Sequence, residues 1–201
     1  KPGRVTTLPS PEAPDEVPVQ ASAGDFHSAV LTSRGRVVTW GWPGSSWWGI
    51  GALGRAAAGE SAAPGLTPVA GSLDIRLKEI SSGQRHMLGL GFDGEVWAWG
   101  QGANGLMGDG RNVDRLEPMP VSFLLDIGVQ IKQIACGAHF NLALSTDGVV
   151  FGWGRNNSGE LGMGGGFSMD MESVPRSIDA LKDPVAFIAA GHAHACAVTE
   201  A

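Results

Sequence analysis

One pattern of glycine, apolar residues and tryptophan occurs several times along this chain. Residues 24–41, 83–100 and 137–154 align without gaps, and a further copy begins at residue 191. The leading glycines of the four copies are 59, 54 and 54 residues apart: Gly24, Gly83, Gly137 and Gly191. A period of this length indicates a repeat architecture, because each short unit must bury its apolar faces against its neighbours.

Each copy predicts a β-hairpin. Two short runs of β-branched and apolar residues flank Asp93-Gly94 in the second copy and Asp147-Gly148 in the third, with Arg34-Gly35 as the variant in the first. Such dipeptides favour a two-residue type I′ turn. A turn of that length would pair Leu88 with Trp99, so we expect each hairpin to have one bulky face and one small face.

Two further strand-like runs accompany each hairpin. A short apolar run precedes it, at residues 17–21, 77–81, 131–135 and 185–189. A proline-containing segment follows after a variable loop, at residues 68–69, 120–121 and 175–178. Proline cannot donate a ladder hydrogen bond, so this last strand belongs at a sheet edge. Four short antiparallel strands are the content of one propeller blade, and we therefore predict an all-β fold.

The end of the third copy carries the most specific motif, W-G-R-N-N-S-G-E-L-G over residues 153–162. Together with the repeat glycine, the histidine and the D-G turn, it resembles the RCC1 repeat (regulator of chromosome condensation) across about residues 17–201. The resemblance implies an RCC1-type β-propeller of seven blades, of which this chain would hold about three and a half. We expect an extended proline-rich arm at residues 1–16, repeat units near 17–75, 76–130 and 131–184, and the start of a fourth at 185–201. Closure of such a ring requires further blades beyond this chain or a second polypeptide.

Histidine and tryptophan recur at fixed places in the repeat. The recurring residues are His27, His86 and His194, three residues after the repeat glycine, and Trp40, Trp99 and Trp153, at the close of the hairpin. Recurrence at one position in separate blades indicates a structural role, such as a hydrogen bond to a neighbouring strand. His192 and His194 could share a metal ion, but two ligands are a weak signal and we favour the structural role.

Composition and charge limit the function classes. The net charge is −6, from 14 basic and 20 acidic residues, and no basic stripe is visible, so we predict no direct nucleic-acid binding. No run of about 18 apolar residues occurs, so no membrane insertion is predicted. No catalytic, phosphate-binding or metal motif is found, so we predict no enzyme activity, no cofactor and no metal site. The two isolated cysteines favour an intracellular protein, of the cytosol or nucleus first, with an organelle reached after removal of a targeting peptide left open.

The first copy departs most from the pattern because a longer loop follows it. Residues 42–66 contain Trp42, Trp47 and Trp48 among glycine, serine and alanine. Aromatic residues presented on a loop are typical of interface anchors, so we predict a partner-binding loop here. The alternative, with equal weight, is that Trp47 or Trp48 folds back over the rim of its own blade.

These observations predict a non-catalytic protein–protein interaction scaffold that is a subunit of a larger assembly. The expected partners are other proteins, including a small GTPase or a chain that completes the propeller. Guanine-nucleotide exchange on a small GTPase is the alternative, because the resemblance implies the activity of the founding member of the family. Ultraviolet sensing by tryptophans, as in one plant member, ranks lower, because Gln84 stands where the Gly-Trp-Arg-His-Thr motif of that member has tryptophan.

Overall fold

The computed structural model is built of short antiparallel strands, and it describes residues 15–42, 44–45, 49–50, 52–54, 67–68, 75–163 and 170–200. The first sheet contains β1 (Pro18–Ala23), β2 (His27–Thr32), β3 (Val37–Gly41) and β6 (Thr67–Pro68), with β4 (Gly44–Ser45) and β5 (Gly49–Ile50) paired separately in the long loop. The second contains β7 (Leu77–Ser82), β8 (His86–Gly91), β9 (Val96–Gly100) and β10 (Arg115–Pro120). The third contains β11 (Ile131–Cys136), β12 (Phe140–Ser145), β13 (Val150–Arg155) and β14 (Met171–Ser177), and β15 (Val185–Ala190) pairs with β16 (Ala195–Thr199). A 3-10 turn (Ala103–Gly105) and a short helix α1 (Ser122–Asp126) lie in the loops, so the all-β prediction is confirmed.

Within each four-stranded sheet the strands follow one another in chain order. The proline-containing strands β6, β10 and β14 lie at the sheet edges, as predicted. The first strands of successive sheets, β1, β7, β11 and β15, contact one another. The sheets therefore spread outward from a common axis as the blades of a propeller do, and the chain forms three blades and the first hairpin of a fourth.

The hairpin turns differ from the prediction. In the second blade the N–H of Gly91 donates to the carbonyl of Glu95 (2.9 Å), and the N–H of Gly94 donates to the carbonyl of Gly91 (3.2 Å). Gly94 has a φ of 81°, and Asn104 is the only non-glycine residue with positive φ in the described part of the chain. A type I′ turn needs two left-handed residues, so the predicted two-residue turn is wrong. The loop has three residues, a β-turn followed by a left-handed glycine, and the first and third blades repeat it.

The additional loop residue shifts the pairing of each hairpin by one position. The observed pairs in the second blade are Gly89 with Trp97, Leu88 with Ala98 and Met87 with Trp99. The predicted pair of Leu88 with Trp99, and the division into one bulky and one small face, are therefore wrong. Each face instead combines large and small residues, and a Cβ on Gly89 would lie 2.5 Å from Cδ1 of Leu77.

Apolar burial is concentrated between the blades. The second blade presents Leu88, Leu90 and Val96 to the third blade, and Trp153 of the third blade belongs to the same buried cluster. Trp99 belongs to the equivalent cluster between the first two blades, and a third cluster joins the third blade to β15. The side chains of Trp99 and Trp153 are fully buried. Stacking around the axis thus covers both faces of an inner blade.

Side-chain amides on the first strands also connect neighbouring blades. The Gln20 amide donates to the carbonyl of Ile80 and accepts from the N–H of Ile80, both at 2.9 Å. Gln133 makes the same two bonds to β15 of the next blade, also at 2.9 Å. The equivalent residue of the second blade is Glu79, whose carboxylate accepts from the N–H of Ile134 (3.3 Å). An ionised carboxylate cannot donate the second bond, so this clamp is incomplete.

Glu79→Gln should complete the clamp and raise the free energy of unfolding at neutral pH by about 1 kcal/mol, the usual net value of a hydrogen bond. Burial raises the pKa of the Glu79 carboxyl. Because folding raises the pKa of this carboxyl, the free energy of unfolding of the wild-type chain falls as the pH rises through that pKa. The stability advantage of Glu79→Gln over the wild type should therefore shrink in acid. Urea denaturation at several pH values measures both effects. Gln133→Glu is the matched control and should be destabilising, whereas equal stability of wild type and Glu79→Gln at neutral pH would contradict the role given to the clamp.

Candidate protein-binding face

Backbone hydrogen bonds join the repeat-glycine segments of successive blades into one arc. The residue after each repeat glycine donates to the carbonyl of its equivalent in the next blade: Asp25 to Gln84 (3.2 Å), Gln84 to Ala138 (3.1 Å) and Ala138 to His192 (3.0 Å). These segments connect the inner strands to the hairpins, so the arc surrounds the axis at one end of the blades. We call this end the axial face, formed by residues 24–26, 83–85, 137–139 and 191–193 and by the residue after each Trp-Gly. The hairpin turns lie at the opposite end.

The repeat glycines occupy positions where a side chain would collide with the next blade. A Cβ on Gly24 would lie 2.3 Å from the carbonyl oxygen of Gly83, and one on Gly83 would lie 2.8 Å from that of Gly137. The Cβ on Gly83 would also lie 2.0 Å from Cε1 of His86. Glycine is therefore required here by the neighbouring backbone and by the ring packed beneath it.

The histidines of the repeat lie beside these glycines. His86 is buried, and its Nε2 is 2.8 Å from Oδ1 of Asn141 in the next blade. His27 is buried as well, and neither of its ring nitrogens has a hydrogen-bond partner among the described residues. Phe140 takes the equivalent place under Gly137, and His194 on the last hairpin is exposed. The position thus mainly fills space under the glycine, and His86 adds a bond between blades.

Burial lowers the pKa of both His27 and His86 to about 4. The unfolded chain takes up protons on these rings near pH 6.5, whereas the folded chain does not, so the free energy of unfolding should fall as the pH drops from about 6.5 to about 4. His27→Phe copies the third repeat, which has Phe140 here, and should remove part of that fall. Urea denaturation across this range is the measurement, and an unchanged pH dependence in His27→Phe would count against this explanation.

The closing tryptophans connect each blade to a loop of the preceding blade. The indole Nε1 of Trp99 donates to the carbonyl of Ala52 (3.1 Å), and that of Trp153 donates to the carbonyl of Leu106 (3.0 Å). Ala52 and Leu106 are equivalent positions of the repeat, 54 residues apart. Trp40 is half-buried, because no described blade packs on that side of the first blade. These tryptophans lie at separate junctions and do not form one site.

Three side chains of the axial face form a stacked cluster. The guanidinium carbon of Arg85 lies 4.9 Å from the centroid of the Phe26 ring and 5.4 Å from that of Trp42. The centroids of the two rings are 5.7 Å apart, and the ring planes are tilted by 56°. Phe26 is 44% exposed, while Arg85 and Trp42 are half-buried. Cation–π contacts hold the guanidinium in place, and part of the aromatic surface stays in contact with solvent.

The backbone brings these side chains together through repeated bonds. Phe26 and Arg85 are the second residues after their repeat glycines, and Trp42 follows Trp40-Gly41. In every blade the residue after Trp-Gly donates to the carbonyl of that second residue: Trp42 to Phe26 (2.8 Å), Gln101 to Arg85 (2.9 Å) and Arg155 to His139 (2.8 Å). The cluster therefore combines two positions of the first repeat with one of the second.

Of the three predicted partner-binding residues, Trp42 lies in this cluster, while Trp47 and Trp48 lie outside the described residues. Sequence reasoning missed Phe26 and Arg85. A signal for them was present, because the second residue after the repeat glycine is Phe, Arg, His and Ala in the four copies, whereas the residue that follows it is His in three of the four. A position that varies within a rigid repeat is typical of a surface that binds something specific to each protein.

An open concavity of about 300 Å³ lies at the inner edge of the axial face, and Asp25, Gln84 and His192 are among its lining residues. The side-chain amide of Gln84 donates to Oδ2 of Asp25 (2.6 Å). Among the described residues no group of three or more His, Cys, Asp or Glu side chains is arranged to hold a metal ion. No helix in the described ranges is long and apolar enough to span a membrane. The arc of backbone segments and this concavity give the axial face a broad surface with a shallow recess, which is the geometry of macromolecular contact.

The fold and this face define a class of protein. The chain forms part of a β-propeller, in which rigidly stacked blades carry variable loops. A family model for the regulator of chromosome condensation (RCC1) repeat matches residues 93–144 and 147–198. A second model of that repeat matches residues 19–46, 77–106 and 131–160. The chain belongs to the RCC1 repeat family, as its motifs predicted.

Relatives and solved structures agree with this assignment. The chain is 35% identical over 177 residues to the mitochondrial RCC1 domain-containing protein RUG3 of Arabidopsis thaliana, covering 87% of this chain and 38% of that protein. It is 35% identical over 190 residues to the ultraviolet-B receptor UVR8 of the same plant, covering 94% of this chain and 40% of the receptor. The chain therefore spans about 40% of the length of these relatives.

Solved propellers superpose on most of the chain. Human WBSCR16 gives a TM-score of 0.78 at 28% identity, covering 96% of this chain and 48% of that structure. Prp20p of Saccharomyces cerevisiae gives a TM-score of 0.75 at 28% identity, covering 92% of this chain and 42% of that structure. The predicted RCC1-type propeller fold is confirmed.

Proposed function

We propose that this chain is a non-catalytic module for protein–protein interaction and that its axial face binds the partner. The observation that carries the proposal is the partly exposed cluster of Phe26, Trp42 and Arg85. The module would consist of units 17–75, 76–130, 131–184 and 185–201 behind an extended arm at 1–16. It would serve as a subunit of a larger intracellular assembly.

The cluster has the chemistry of an interface anchor. Tryptophan, tyrosine and arginine dominate the residues whose truncation costs most binding energy in protein interfaces. Phe26 and Arg85 stand on segments that are hydrogen-bonded to the neighbouring blade, and Trp42 is bonded to Phe26. These side chains are therefore ordered before a partner arrives, which lowers the entropic cost of binding.

The relatives support protein binding and do not assign an enzyme activity to this chain. The structure of Prp20p is described together with the binding of that protein to Gsp1p and histones. Human HERC6 is named a probable E3 ubiquitin-protein ligase, but its match of 33% identity covers only 17% of its length. That similarity concerns the repeats, so we do not extend ligase activity to this chain. The name of RUG3 gives a mitochondrial location to that relative, and the compartment of this chain remains a prediction.

Combined Phe26→Ala and Trp42→Ala substitution should abolish capture of the partner, because it removes both rings and leaves the backbone bonds and buried apolar clusters between the blades in place. The measurement is affinity capture from native extract by the immobilised chain, with mass spectrometry of the bound proteins. Phe92→Ala is the matched control, since that ring is 63% exposed at a hairpin turn on the opposite end. We expect Phe92→Ala to capture the same proteins as wild type. Identical capture by the double variant, or no capture by wild type, would contradict the proposal.

Guanine-nucleotide exchange on a small GTPase is the second candidate, favoured by the similarity to Prp20p and the binding of Prp20p to Gsp1p. Stopped-flow release of a fluorescent guanine nucleotide from purified small GTPases separates the two functions. The scaffold proposal predicts a release rate that excess chain leaves unchanged. Acceleration that is lost in Arg85→Ala would establish exchange through the axial face in its place.

A further inference from the structure

A cluster of exposed apolar side chains lies on the segment that leads from β10 through α1 to β11. Val121 and Leu124 of this segment are buried in the junction between the second and third blades. Four other large apolar residues of the segment are exposed by 37–48%: Met119, Phe123, Leu125 and Ile127. We call these four residues the helical patch. The second and third blades both contain all four strands, so the patch does not come from an incomplete sheet.

Main-chain bonds and one buried side chain hold the helical patch in place. The N–H of Val121, at the start of α1, donates to the carbonyl of Val96 (2.8 Å). The N–H of Ile127 donates to the carbonyl of Phe123 (3.2 Å), so these two residues are one helical turn apart on the same side of α1. Leu124 is only 2% exposed and fastens the middle of the segment to the core. The exposed residues are therefore ordered before anything binds to them, which lowers the entropic cost of binding.

The third blade contains an equivalent segment that lacks these exposed apolar residues. Val121 and Ile178 are equivalent, because each donates its N–H to the first residue of the third strand of its own blade. Counting from this pair gives polar or small equivalents for three residues of the patch: Arg176 for Met119, Ala180 for Phe123 and Lys182 for Leu125. The fold of a blade therefore does not require apolar side chains at these positions.

The fourth residue of the patch, Ile127, lies in an insertion. Ile131, the first residue of β11, follows Val121 by ten positions, whereas Val185, the first residue of β15, follows Ile178 by seven. The segment of the second blade is thus three residues longer than that of the third. Several large apolar residues exposed together on such a segment are typical of a surface that another molecule covers.

The charged residues of the same segment are acidic. Between residues 116 and 131 the charged residues are Glu117 and Asp126, and both are exposed. Asp93, on the hairpin turn of the same blade, adds a third exposed carboxylate. Arg176 lies on β14, the strand that α1 contacts, and is paired with Glu172 (3.0 Å). The helical patch thus combines apolar surface with negative charge.

We propose that the helical patch binds an amphipathic segment of another protein, with apolar side chains on one face and lysine or arginine beside them. The apolar face covers Phe123, Leu125 and Ile127, and the cations lie against Glu117 and Asp126. A second copy of this chain fits the patch less well, because a two-fold contact would bring the same carboxylates towards each other.

The helical patch and the axial face lie at opposite ends of the blades. Pro120, beside Met119, pairs with Trp97 close to the hairpin turn, whereas Phe26 belongs to the axial cluster. The proposal therefore stands or fails separately from the proposed function. A chain with Phe26→Ala and Trp42→Ala should still bind at the helical patch as the wild type does.

Fluorescence anisotropy with two synthetic peptides tests the proposal on the intact chain. The probe is a labelled amphipathic helix of about 14 residues, made of leucine and lysine. A second peptide has glutamate in place of each lysine. We expect saturable binding of the lysine peptide, weakened by added salt, and no binding of the glutamate peptide. Equal binding of both peptides would overturn the basic character assigned to the partner.

Phe123→Ala combined with Leu125→Lys copies the third blade, so this variant should fold. It should bind the lysine peptide at least about tenfold more weakly, because it removes an aromatic anchor and places a positive charge on the patch. Val113→Ala is the matched control, since Val113 is 50% exposed on the loop after β9, at the axial end. We expect this control to bind the peptide as the wild type does. Equal affinity of the wild type and the double variant, or no binding by the wild type, would overturn the proposal.

Sedimentation velocity distinguishes a foreign partner from a second copy of the chain. We expect the wild type to show no self-association that depends on the helical patch. Self-association of the wild type that disappears in the Phe123→Ala, Leu125→Lys variant would assign the patch to a second copy and overturn the proposed partner.

Discussion

This structure depends on one packing interaction. The tryptophan-bearing side of each blade packs against the leucine-bearing side of the blade before it. A four-stranded sheet with apolar residues on both faces cannot be stable alone, and each junction here buries a full indole, Trp99 or Trp153. Loss of such a ring from a core typically costs about 3–5 kcal/mol. The bond from each indole to a carbonyl of the preceding blade adds a directional contact to this packing.

The features of the axial face follow from that stacking. Adjacent blades approach so closely that only glycine fits at positions such as Gly24 and Gly83, and the next residue is then within hydrogen-bonding distance of its equivalent in the neighbouring blade. This arc of bonds makes a rigid frame whose side chains are free to differ from blade to blade. The stacking of Arg85 with Phe26 and Trp42 combines residues of two blades, so it exists only because the frame holds them together.

The parts of the structure that could be predicted from the sequence are those that repeat. The strands, the edge position of the proline-bearing strand and the family all follow from periodicity and motif. The hairpin register was predicted wrongly, because Asp93-Gly94 fits both a two-residue and a three-residue loop, and the backbone conformation around Gly94 decides between them. The clamp of Gln20 and the cluster around Arg85 were missed because both join residues about 60 positions apart through contacts that pattern alone does not reveal.

We propose that this rigid axial face of the propeller is the surface that another protein covers. Hydroxyl-radical footprinting of the chain, free and in complex with its captured partner, tests it most directly, because aromatic side chains react according to their exposure. We expect Phe26 and Trp42 to lose reactivity in the complex while Phe92, at the hairpin-turn end, keeps it. Protection of Phe92 with unchanged reactivity of Phe26 and Trp42 would contradict it.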